Sequence, residues 1–60
     1  MTLSDLTYEQ NRLRQRAVGR LCMAIAALDN DNTLNIAGAE DHAAIAATLL
    51  FDLKQELRNE

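Results

Sequence analysis

The chain has no proline and no tryptophan. Among its sixty residues are two glycines (Gly19 and Gly38), one cysteine, one tyrosine and one phenylalanine. Each scarcity narrows the possible folds. With few aromatic and β-branched residues and much alanine and leucine, the composition is that of helices rather than strands. A lone cysteine, Cys22, rules out a disulfide within the chain. Set in an apolar run, it reads as a small core residue and fits a reducing, cytoplasmic setting. The N-terminus has no basic region followed by an apolar core, so no signal peptide is expected. The longest apolar run, Leu21 to Leu28, is too short to cross a bilayer, and no membrane role is expected.

Apolar residues make up 48% of the chain against a net charge of −3, too many for a disordered polymer. Sixty residues form one domain at most. A chain of this size buries only ~60% of the surface that its unfolded form exposes, so a disulfide, a metal or self-association is needed to support it. The first is excluded within one chain.

Two helices of similar length are predicted, over about 5–28 and 34–58, with a turn at about 29–33. The first opens on Thr7-Tyr8-Glu9-Gln10, a capping box in which the threonine hydroxyl and the glutamine side chain serve each other's backbone. Ser4 is an earlier possible start. The inward positions of the first helix are Leu6, Leu13, Ala17, Leu21, Ala24 and Leu28. Asp29-Asn30-Asp31-Asn32 breaks the pattern, because Asp and Asn favour turns and caps. Asn32 or Asn35 is placed to cap the second helix. Its apolar spacing runs Ile36, Ala39, Ala43, Ala46, Leu50, Leu53 and Leu57, a coiled-coil-like seam. The expected fold is therefore all-α, a two-helix antiparallel hairpin over residues 1–60. Gly19 is expected to help the helices approach.

One seam does not use up the apolar residues. Val18, Cys22 and Ile25 form a second stripe on the first helix. Ala44, Ile45, Ala47, Leu49 and Phe51 widen the second. A helix apolar over so much of its circumference needs further cover, and the economical source is a second copy, giving a four-helix bundle.

Candidate chemistry is sparse. Asp29 to Glu40 has part of a calcium-loop pattern, with Asp29, Asp31, Thr33, Asn35 and Glu40 as oxygen donors. Leu34 stands where such a loop needs glycine, and Ala37 has no oxygen, so a helix-capping turn is the better reading and no metal is expected. His42 is expected on an exposed turn. Cys22 and His42 supply two ligands at most across the hairpin, too few for zinc. A two-helix hairpin has no concave site of its own, and no catalytic residue or cofactor is assigned.

Arg12, Arg14, Arg16 and Arg20 hold most of the positive charge. Arg12, Arg16 and Arg20 are four apart on one helix face, with Asp5, Glu9, Asp52 and Glu56 as neutralising neighbours. In length, paired helices and the Leu28-Asp29-x-Asp31 turn, the architecture resembles that of Rop-like plasmid regulators, dimers of helical hairpins. That resemblance implies recognition of paired RNA loops by basic and aromatic residues on one bundle face, with Arg12, Arg16 and Arg20 as the basic row. A chain of net charge −3 with no aromatic between its arginines favours a protein partner over nucleic acid. The expectation is a small non-enzymatic regulator or inhibitor, dimeric and of phage or mobile-element type, meeting an unidentified protein through Arg12, Arg16, Arg20 and Tyr8 or through exposed apolar residues.

Overall fold

The computed structural model describes residues 1–58. A 3-10 turn, Leu3–Asp5, precedes two α-helices, α1 (Tyr8–Leu28) and α2 (Ile36–Arg58), and the two helices pack against each other as a hairpin. Among the described residues there is no strand. The hairpin is a rod of 45 × 18 × 15 Å.

The start of α1 follows from two capping boxes in succession. The Thr2 backbone N–H donates to the Asp5 carboxylate at 2.7 Å, which closes the 3-10 turn. Leu6 is then extended (φ −84°, ψ 140°), so the helix cannot run through from Ser4. It restarts at Thr7, whose hydroxyl accepts from the Gln10 N–H at 3.2 Å while the Gln10 Oε1 accepts from the Thr7 N–H at 3.0 Å. The helix expected from about residue 5 begins at Tyr8 for this reason.

At the other end, the turn is longer than expected. Asn30 Oδ1 accepts from the N–H groups of Asn32 and Thr33, an Asx turn. Asn35, not Asn32, caps α2: its Oδ1 accepts from the Gly38 N–H at 2.9 Å. The Asn35 N–H reaches back to the Ala27 carbonyl, tying the turn to the last turn of α1. Gly38 earns its place here, because a Cβ at this position would lie 2.7 Å from the Asn35 Cγ. Gly19 has no such role. A Cβ there would meet nothing within 4 Å, so it does not bring the helices together as expected.

The side of α2 that meets α1 also differs from the expected one. The buried residues of α2 are Ala39, Ala46 and Leu49, with His42, Leu53 and Leu57 half-buried. The seam therefore runs 39, 42, 46, 49, 53. The expected seam shared Ala39, Ala46 and Leu53 but used Ala43 and Leu50 where the molecule uses His42 and Leu49. Leu49 is 6% exposed and Leu50 is 45% exposed. On α1 the buried residues are Gln10, Ala17 and Ala24, with Leu6, Leu13 and Ala27 half-buried. Leu21 and Leu28, expected inside, are exposed, and so are Ala43 and Ile36.

The core is thus mostly alanine. Each buried alanine removes a single methyl from water, ~0.8 kcal/mol per buried carbon. Small residues let the helices lie close but contribute little apolar burial. Many large side chains are left outside: Val18, Leu21, Ile25, Leu28, Ile36, Ile45, Leu50 and Phe51 are all exposed.

Candidate functional site

One contact fixes the sides of the hairpin. The guanidinium of Arg20 on α1 donates from Nη1 to Nδ1 of His42 on α2, at 3.0 Å. These two side chains border the seam on the same side. Residues three or four apart share a helix face, so Arg20 places Arg16 and Arg12 with it, and His42 places Ile45, Asp52 and Glu56 with it. A second marker sits across the seam. Arg14 lines a shallow apolar hollow with Leu3, Leu6, Leu53 and Leu57, where the N-terminal segment meets the end of α2. By the same spacing, Val18, Leu21, Ile25 and Leu28 follow Arg14 along α1, and Ala43, Ala47, Leu50 and Lys54 follow Leu57 back along α2.

The hairpin therefore has two unlike faces. One is apolar from both helices, and it gathers Val18, Leu21, Ile25, Leu28, Ile36, Ala43, Leu50 and, at its edge, Phe51. Ala47, Leu50, Phe51 and Lys54 line a hollow on this side of α2. Ile25 and Ile36 are 64% and 66% exposed, values at odds with their apolar character unless something covers them. The other face carries the arginines, with Met23 and Ile45 as its apolar members.

The sequence placed Arg12, Arg16 and Arg20 together, and the structure keeps them so. Arg12 and Arg16 are exposed, and Arg20 is half-buried by its bond to His42. Tyr8 stands one step before Arg12 in the same four-residue register and is 79% exposed. The neutralising acids expected around this row do not engage it: among the described residues no arginine is paired with a carboxylate, and Asp5 is spent on capping Thr2. Arg14 belongs to the opposite side, where its Nε donates to Asn11 Oδ1 at 2.9 Å.

Sequence reasoning missed His42 and Gln10 as structural residues. His42 was expected on an exposed turn, yet it lies within α2, half-buried against α1. Its position, three after Ala39 and four before Ala46, is the heptad spacing that marks it. Gln10 is 1% exposed, so the capping box is also the first layer of the core. Ile45 was grouped with Leu49 and Phe51, but the three lie in different places: on the arginine face, in the core and at the edge of the apolar face.

Of the calcium-like donors, Asn35 is engaged otherwise: its side chain caps α2 and its backbone carbonyl accepts from the Ala39 N–H at 2.9 Å. Among the described residues no group of three or more His, Cys, Asp and Glu side chains is placed to hold a metal. Cys22 is exposed, not in the core as expected. No described helix is long and apolar enough to cross a membrane.

The fold defines an all-α helical hairpin with one apolar and one arginine-bearing face. No protein-family model matches the chain, and no curated protein or solved structure matches it significantly.

Proposed function

We propose that this chain is a small, non-enzymatic, cytoplasmic regulator or inhibitor that works as a homodimer by binding another protein. The observation that carries the reading is the position of the exposed apolar residues. They lie on the same side of both helices, as one continuous face.

An alanine seam gives a hairpin little burial of its own, whereas the opposed apolar faces of two hairpins would bury Ile25, Leu28, Ile36 and Leu50 together. A rod 45 Å long and 18 Å wide projects about 800 Å² on its broad side. Only contact along the whole of both faces would reach roughly 1,600 Å², the standard size of a stable protein interface. The product is a four-helix bundle in which each helix touches its hairpin neighbour and a helix of the second copy. Stacking the apolar faces turns the two arginine rows outward on opposite sides. They do not merge into one patch, and each remains free to meet a partner.

Sedimentation equilibrium over a wide concentration range tests the dimer, and a folded monomer at every concentration overturns it. Partner capture with and without nuclease tests the class of target. Loss of the complex on nuclease treatment would replace the protein partner with the RNA-binding reading, which draws on the same arginine row.

A further inference from the structure

We propose that a second copy lies end for end on the apolar face, its turn over the chain termini of the first, with Ala47 of each copy at the two-fold axis. The inference deepens the homodimer reading above and rests on it: it names what each end of the face receives.

The face is apolar along its middle and charged toward its ends. Spacing of three or four residues brings five charged side chains onto it. Arg14 (four before Val18), Lys54 (four after Leu50) and Arg58 (four after Lys54) stand toward the termini. Glu40 (four after Ile36) and Asp29 (four after Ile25) stand toward the turn. All are exposed except Arg14, which is half-buried. Two copies laid in the same direction would bring acid to acid and cation to cation. Laid in opposite directions, each end meets its complement.

The register follows from α2. Glu40 and Lys54 lie seven residues on either side of Ala47, and Ala43 and Phe51 lie four on either side. Antiparallel contact of the two α2 helices about Ala47 therefore sets Glu40 against Lys54 of the second copy, twice by symmetry. It also sets Phe51 over Ala43 of the second copy, large against small, beside the hollow that Ala47, Leu50, Phe51 and Lys54 line.

Shape gives an independent reason. At the termini end, Leu3, Leu6, Leu53 and Leu57 line an apolar hollow. Arg14, closer to the middle of the rod, shares that lining with its Nε bonded to Asn11 of its own helix, and is assigned no pair in the second copy. At the turn end, Ile25 and Ile36 are the apolar side chains with most of their surface uncovered. End-for-end packing brings these side chains of each copy onto the hollow of the other. One two-fold arrangement thus fills both hollows and pairs the charges.

Distance and charge test it together. A spin label at Asn32→Cys, in a Cys22→Ser background, marks the turn of each copy. Pulsed electron resonance is expected to give a separation near the 45 Å length of the rod, whereas copies laid in the same direction give one near its 18 Å width. Glu40→Lys and Lys54→Glu are each expected to raise the Kd of the dimer about tenfold or more, because each sets like charges against each other twice. Glu40→Lys/Lys54→Glu restores the pairs and is expected to bind within about threefold of the parent. Circular dichroism of each variant confirms that it folds. A separation near the width of the rod overturns the arrangement and leaves the dimer, as does a double variant no tighter than the single ones. A chain that is monomeric at every concentration removes both.

Discussion

Arg20 and His42, twenty-two residues apart in the chain, are joined across the hairpin by a 3.0 Å bond from Nη1 to Nδ1. Guanidinium can only donate, so Nδ1 accepts, and the ring proton of the neutral imidazole sits on Nε2. Both side chains are half-buried. A double-mutant cycle of Arg20→Gln and His42→Ala should give a coupling of about 0.5–1.5 kcal/mol, the net worth of such a bond. A coupling of zero would show that the contact adds no stability and does not set the register.

Leu49 and Leu50 are neighbours in sequence with different surroundings. Leu49→Ala opens a cavity in the hairpin core and should cost about 2–5 kcal/mol at any protein concentration. Leu50→Ala removes a side chain from the apolar face. Its cost should appear as a melting temperature that depends more steeply on concentration, because stability and association are linked in a dimer. Equal costs at high dilution would show that Leu50 already has cover within the monomer.

The two glycines should respond in opposite ways. Gly19→Ala fills open space on a helix and should raise stability by about 0.5–1 kcal/mol. Gly38→Ala gains the same propensity but displaces the Asn35 side chain that caps α2. Its urea midpoint should lie at or below that of the parent. A gain at position 38 matching that at position 19 would mean that the cap contributes nothing.

Caps are the remaining local test. Asn35→Ala should cost about 1 kcal/mol and fray the start of α2, while Asn32→Ala should cost much less. Amide exchange of the Gly38 N–H reads the difference directly. Unaltered protection at Gly38 in the Asn35 variant would show that the Asn35 side chain is not the cap.

Calcium should leave the chain unchanged. The Asn35 backbone carbonyl that such a loop would use already accepts from the Ala39 N–H at 2.9 Å, and Leu34 stands where the sharp turn needs glycine. A rise in melting temperature with millimolar calcium but not with magnesium would contradict this.

The sequence by itself determined that there are two helices and that they fold back on each other. Composition, the Thr7–Gln10 box and the Asp-Asn turn are local signals, and each acts within a few residues of where it is written. The row Arg12, Arg16, Arg20 was legible for the same reason, because helical spacing alone aligns it. Only tertiary structure decided which side of α2 faces α1. Apolar residues surround much of that helix, so Leu49 and Leu50, or His42 and Ala43, were equally acceptable by pattern. The side chosen packs Ala39, Ala46 and Leu49 against Ala17 and Ala24 and brings Arg20 to His42. That rotation moved Leu50, Ile36 and Ala43 out of the core and gathered them with Ile25 and Leu28. An ambiguous surplus of apolar residues became a single face because the two helices, once packed, share one orientation.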